Sequence, residues 1–86
     1  MANYVYNYTG FMSFKAHPNK QTWDLIEKAI DETKINHTRS FNNGNLEINC
    51  DSRYEVAKIL MHIETTLQQN YNGYVLDTTI LRTRKP

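Results

Sequence analysis

The sequence predicts a single α+β domain with the element order β-α-β-β-α-β and a four-stranded antiparallel sheet. Apolar and polar residues alternate along the N-terminal segment and again on both sides of an Asn-Gly pair, which is typical of strands joined by a tight hairpin. In two other segments, apolar residues recur with the spacing of an amphipathic helix. The 86 residues suffice for one hydrophobic core and are too few for two, so we predict one domain over residues 1–86.

The first strand is predicted from Asn3 to Ala16. Its odd positions are mostly polar and are expected to face solvent. Gly10 is predicted to mark a bulge or a bend, because glycine weakens the interior of a strand. The even positions form the more apolar face, which is predicted to point toward the core: Tyr4, Tyr6, Tyr8, Gly10, Met12, Phe14 and Ala16.

The first helix is predicted from the apolar residues that recur between Trp23 and Ile30. Pro18 and Asn19 suit its first turn, because a proline needs no hydrogen-bond partner there and asparagine accepts a hydrogen bond from a free backbone donor. The acidic residues on its other side form either a solvated face, which we favour, or a mimic of nucleic-acid phosphates: Asp24, Glu27, Asp31 and Glu32.

A β-hairpin is predicted between Ile35 and Cys50. Asn43-Gly44 suits a type I′ turn, since both central residues of that turn need positive φ. The apolar residues of the two strands then share one face of the hairpin and the polar residues share the other. The predicted cross-strand pairs are Asn42 with Asn45, Phe41 with Leu46, Arg39 with Ile48, and His37 with Cys50.

The second helix is predicted to start at Ser52, because Ser52 and Glu55 have the spacing of a capping box. Apolar residues recur as one stripe from Val56 to Leu67, and the segment 69–73 carries the asparagines and the glycine that end a helix. The last segment, 74–83, is rich in β-branched residues and is predicted to be the fourth strand.

This element order resembles the ferredoxin-like split βαβ arrangement, in which both helices cover one face of a four-stranded antiparallel sheet. The resemblance covers the whole chain and lies in the order of the elements, without a family motif. It implies that the opposite face of the sheet, called the open face below, is uncovered. It implies no activity, because this fold hosts many unrelated functions.

Composition and charge exclude several classes of protein. The net charge of +1 gives no long-range field that would attract nucleic acid or an anionic membrane. Cys50 is the only cysteine, so an internal disulfide and paired CxxC metal sites are excluded, and a cytoplasmic, reducing location is expected. No apolar run reaches the about 20 residues that span a bilayer, and no signal peptide is recognisable, so no membrane partner is expected.

His37 and Cys50 are the residues most open to a chemical interpretation, because the predicted hairpin places them opposite each other. Such a pair needs a third group to bind a metal or to activate a thiolate, and the sequence offers no obvious third partner. We therefore expect no catalytic residue, no cofactor and no metal, and we interpret the pair as packing at the margin of the sheet. An enzyme whose site is completed across a dimer is the least favoured alternative.

A non-enzymatic binding protein is the function that the sequence favours. Frequent Asn, Tyr, Lys and Ile indicate an AT-rich genome, which fits a phage or a mobile element. The expected partner is then a host protein, such as a component of a defence system, that is inhibited or modulated by protein–protein contact. The predicted contact residues lie on the open face: Asn7, Thr9, Phe11, Thr38, Ser40, Glu47 and Asn49.

Two alternatives stay open beside this interpretation. The first is a nucleic-acid or nucleotide-binding module, which requires that the first strand turn its tyrosines outward so that bases stack on them. Its predicted residues are Tyr4, Tyr6, Tyr8, Arg82, Arg84 and Lys85. The second is self-association as a homodimer, either through the open face or through an edge strand of the sheet.

Overall fold

The computed structural model describes residues 6–42, 44–70 and 74–84. The elements are β1 Tyr6–Phe14, α1 Lys20–Glu32, β2 Thr38–Asn42, β3 Asn45–Cys50, α2 Arg53–Asn70 and β4 Val75–Arg84. The neighbouring strands pair antiparallel in the order β2-β3-β1-β4, and both helices pack on one face of the sheet. This is the ferredoxin-like arrangement, so the predicted fold class is confirmed.

β1 alternates as predicted, but the role expected for Gly10 is wrong. The pairing of β1 with both neighbours runs unbroken through Gly10, and the register shifts instead between Ser13 and Phe14. A Cβ atom added to Gly10 would lie 2.5 Å from Cγ1 of Val56 and 2.8 Å from Cδ1 of Leu60. Glycine is therefore required at this position because α2 approaches the strand closely, and not because the strand bends.

Each helix begins at a side chain that accepts a backbone hydrogen bond. Oδ1 of Asn19 accepts hydrogen bonds from the backbone N–H of Thr22 at 2.9 Å and from its hydroxyl at 3.0 Å. Asn19 is thus the N-cap of α1, and Pro18 precedes the cap instead of lying in the first turn as predicted. Before α2, Oγ of Ser52 accepts from the backbone N–H of Glu55 at 3.2 Å and donates to the carboxylate of Glu55 at 3.0 Å.

The β2–β3 hairpin has the predicted register. The observed pairs include Asn42 with Asn45, Phe41 with Leu46, and Arg39 with Ile48. Gly44 has a φ of +79°, as a type I′ turn requires, while Asn43 lies outside the described residues. β2 begins at Thr38, so the predicted pairing of His37 with Cys50 is not part of the ladder.

The hydrophobic core lies between the two helices and the face of the sheet that they cover. The sheet contributes side chains from β1 and β3 that alternate with more exposed neighbours, and the helices contribute one stripe each. Neither helix of the described chain combines the length and the hydrophobicity needed to cross a membrane. The buried core residues are Met12, Ile26, Ala29, Ile30, Leu46, Ile48, Cys50, Val56, Ile59, Leu60, Ile63 and Leu67.

An aromatic cluster closes one end of this core. The ring of Phe14 packs against Trp23 and Tyr74, with centroid distances of 5.7 and 5.5 Å, and Trp23 packs against Phe41 at 4.3 Å. The hydroxyl of Tyr74 donates to the backbone carbonyl of Ala16 at 2.8 Å. The cluster therefore ties β1, α1, β2 and the segment before β4 together at the same end of the domain.

Candidate functional site

The face of the sheet opposite the helices carries all of the predicted contact residues. The pairing of the four strands aligns its side chains in rows, of which one contains Thr38, Asn49, Thr9 and Leu81, and the next contains Ser40, Glu47, Phe11 and Thr79. The open-face positions of the described strands are Asn7, Thr9, Phe11, Ser13, Thr38, Ser40, Asn42, Asn45, Glu47, Asn49, Asp77, Thr79, Leu81 and Thr83.

Hydrogen bonds between strands hold the polar side chains in the middle of this face. The hydroxyl of Thr9 donates to Oδ1 of Asn49, and Thr9 is only 8% exposed. Thr9 thus orients the side-chain amide of Asn49 from the neighbouring strand. The hydroxyl of Ser40 donates to the carboxylate of Glu47 at 3.4 Å. These contacts give the face a defined arrangement of polar groups before any partner arrives.

A small apolar patch lies on the open face where β1 meets β4. Phe11 is partly exposed and pairs with Thr79, so Leu81 is its diagonal neighbour on β4. Leu81 is 49% exposed, which leaves about half of a leucine side chain for contact with a partner. Leu81 was not among the residues predicted for this face. Ile80 and Leu81 are both apolar, so the alternation along β4 does not reveal which of them points outward.

The charged residues at the open-face positions of the described strands are Glu47 and Asp77, and both are acidic. They line a shallow depression of about 340 Å³ together with Phe11 and Asn45. A cationic side chain is the complement of such a surface, because it gains attraction from both carboxylates. A phosphate backbone would be repelled by the same groups.

The residues of the nucleic-acid alternative do not form an outward aromatic ladder in the described chain. Tyr8 lies on the helix-covered side of the sheet and packs partly buried against the core, opposite Arg82 of β4. Tyr6 pairs with Arg84 in the backbone ladder between the same two strands. Tyr4 and Lys85 lie outside the described residues.

His37 and Cys50 line a second depression of about 420 Å³, and Asp51 lies beside them. Nδ1 of His37 is 2.7 Å from the backbone carbonyl of Ile35. Cys50 is only 3% exposed, and burial, followed by the nearby carboxylates of Glu55 and Asp51, raises the pKa of its thiol from 9.0 to about 11.

A thiol with this pKa stays protonated at neutral pH, whereas a cysteine nucleophile or metal ligand must be a thiolate. Among the described residues, no group of three or more His, Cys, Asp or Glu side chains is placed to hold a metal ion. The depression around Cys50 is a polar cleft at the margin of the sheet.

The acidic side of α1 makes contacts within the chain. A carboxylate oxygen of Asp31 lies 3.3 Å from the guanidinium of Arg39, which connects the helix to β2. A carboxylate oxygen of Glu32 lies 3.1 Å from Nε2 of His62, which connects the two helices. Both carboxylates stay more than half exposed in these contacts, and the interpretation as a mimic of phosphate stays a prediction.

Comparisons of the chain with protein-family models, with curated proteins and with solved structures found no match. The residues of the open face are therefore the basis of the function proposed below.

Proposed function

We propose that this protein is a non-enzymatic binding protein that docks onto a host protein through the open face of its sheet. The apolar patch of Phe11 and Leu81, set among ordered polar groups, is the observation that carries this proposal. By covering a surface of the host protein it would inhibit or redirect that protein. A component of a defence system is one candidate target, because the residue usage fits a phage or a mobile element.

The composition of the open face supports a protein partner. Specific interfaces combine an apolar centre with a polar rim, and their aromatic residues contribute strongly to affinity. Phe11 and Leu81 supply the apolar centre, while threonine, serine and asparagine side chains surround it. The two central strands of the face, β1 and β3, also carry the hydrophobic core, so the backbone in the middle of the face is held rigidly.

The charges of the open face define the chemistry of the partner. Because Glu47 and Asp77 are both acidic and flank Phe11, the partner would present an arginine or a lysine beside an apolar group. The hydrogen bond from Thr9 orients Asn49 in advance. Less conformational entropy is then lost on binding, which favours affinity.

Capture of the partner from a lysate of the host cell, followed by native mass spectrometry, tests the proposal when it is combined with variants of the open face. Glu47→Arg reverses one of the two charges, and Phe11→Ser removes the apolar anchor. Met61→Ser is the matched control, because Met61 is 68% exposed on α2, on the other side of the sheet. Circular dichroism on all variants verifies that each one folds.

We expect a stoichiometric host protein to be captured by the wild-type chain and by Met61→Ser, and to be lost with Glu47→Arg and Phe11→Ser. Loss with Met61→Ser alone would mean that the helices bind the partner, and the open face would be rejected. A bound nucleotide or oligonucleotide in place of a protein would instead favour the nucleic-acid alternative, with Arg82 as the first residue to replace.

A further inference from the structure

The two edge strands of the sheet, β2 and β4, differ in length and in how well they are protected against pairing with another strand. β2 has five residues, all of them exposed, with Arg39 near its middle. β4 has ten residues and pairs on one side with β1. In the described part of the chain no strand covers its other side. An uncovered edge strand presents backbone donors and acceptors that can pair with another strand.

The middle of β4 lacks the features that usually prevent edge pairing. Thr78, Thr79, Ile80 and Leu81 carry no charge and no proline, and three of them are β-branched. The register shift that distorts the ladder with β1 lies at the start of β4, near Leu76, and leaves this central part regular. Asp77 and Arg82 bound the uncharged stretch on its two sides.

We propose that the protein is a homodimer in which β4 pairs antiparallel with β4 of a second copy, around a two-fold axis that passes beside Ile80. The two sheets then form one continuous sheet of eight strands, with all four helices on the same side. This proposal goes beyond the docking function, because it concerns the purified chain without a host protein and involves an edge, not a face.

The side chains of β4 select the register. A two-fold axis normal to the sheet pairs one residue with its own copy, so an axis at Asp77 or at Arg82 would place like charges opposite each other, which is unfavourable. An axis at Thr79 would place Leu81 opposite the partner subunit's Asp77. Axes at Thr78 and at Leu81 also avoid like charges, but they pair only residues 75–81 and 78–84 of the strand. An axis at Ile80 pairs the longer stretch 76–84 and places isoleucine opposite isoleucine. It also places Asp77 opposite the partner subunit's Thr83 and Arg82 opposite the partner subunit's Thr78.

This register also extends the apolar patch of the open face. It places Leu81 opposite the partner subunit's Thr79, which is the neighbour of the partner subunit's Phe11. The two patches of Phe11 and Leu81 then adjoin across the dimer axis. The half-exposed side chain of Leu81 loses contact with water in the dimer, which supplies a hydrophobic contribution beyond the backbone hydrogen bonds.

Light scattering coupled to size-exclusion chromatography, with the full chain at several concentrations, tests the proposal. A dimer has about twice the chain mass of 10.1 kDa. Leu81→Lys introduces a charge at the proposed seam, and Thr38→Lys introduces the same charge on the open face of the opposite edge. By symmetry Leu81→Lys changes two cross-strand pairs per dimer, so we expect dissociation to increase roughly tenfold. Thr38→Lys is expected to dimerise like the wild-type chain.

Mixing two variants tests the register. In the proposed dimer, position 79 of one chain lies opposite position 81 of the other. Mixed Leu81→Lys and Thr79→Asp chains should therefore form heterodimers in preference to either homodimer, because the new lysine lies opposite the new aspartate. Native mass spectrometry measures the proportions of the three dimers. A wild-type chain that stays monomeric at all concentrations would overturn the proposal. So would a dimer that Thr38→Lys dissociates and Leu81→Lys does not. Failure to capture a host protein would leave these results unchanged.

Discussion

The two faces of the sheet use neighbouring residues of the same strands for different purposes. On the covered face, Met12 and Ile48 have no exposed surface, because the helices pack directly on them. On the open face, Phe11 and Glu47 stand one residue away in sequence and remain partly exposed. The two-residue period of a strand thus separates the side chains that stabilise the core from the side chains that a partner could contact.

The largest expected effect is a loss of packing on the covered face. Ile48→Ala removes a fully buried side chain of β3 and should lower the free energy of unfolding by about 3 kcal/mol, because the cavity is only partly refilled. Urea denaturation measures this change. Asn49→Ala, at the next position of the same strand, is the control and should lower the free energy of unfolding by less. Equal losses for the two substitutions would contradict the different roles of the two faces.

The reactivity of the Cys50 thiol measures how completely the covered face is shielded from solvent. Because the pKa of this thiol is raised from 9.0 to about 11, the thiolate fraction at neutral pH is reduced roughly a hundredfold relative to the unfolded chain. A thiol-specific reagent at pH 7 should accordingly modify the folded protein far more slowly than the protein in concentrated urea. Comparable rates would show that Cys50 is accessible and ionised.

The same pKa predicts a dependence of stability on pH. Below pH 9 the thiol is protonated in both the folded and the unfolded chain, so it adds no pH dependence. Between pH 9 and about pH 11 the unfolded chain loses this proton first, so the free energy of unfolding should fall as the pH rises. Urea denaturation of Cys50→Ala should show a smaller decline over this interval than the wild-type chain.

A smaller effect is expected from filling the space beside Gly10. Gly10→Val has a side chain that suits a strand, yet its Cβ would collide with Val56 and Leu60 of α2. We expect a loss of about 2 kcal/mol, measured as a lower midpoint of thermal unfolding. Gly10→Ala is the graded control and should cost less, while a stabilised valine variant would show that α2 moves away from β1 without cost.

The smallest effect on stability is expected on the open face. Glu47→Gln keeps the shape of the side chain and its contact with Ser40 but removes the charge, so the free energy of unfolding should change by no more than about 0.5 kcal/mol. If a host protein binds as proposed, the same substitution should still weaken capture. A large loss of stability would instead assign Glu47 a structural role.

Much of the local structure could be predicted from short stretches of the sequence. Asn19 and Ser52 each accept a hydrogen bond from the backbone three residues later. Because this bond is local, the start of each helix can be recognised from a short segment of sequence. The hairpin register followed from the turn at Gly44 and from the alternation of the strands beside it. The inward direction of Met12 followed from the same period of two.

Which distant residues meet depends on how whole elements pack against one another. Gly10 is fixed by the approach of α2, and Leu81 joins Phe11 because β4 pairs with β1, an element about 70 positions away in the chain. The aromatic cluster of Phe14 with Tyr74 depends on the same pairing. Each of these contacts is set by the packing of whole elements, and no pattern within a single segment encodes the position of an element that far along the chain.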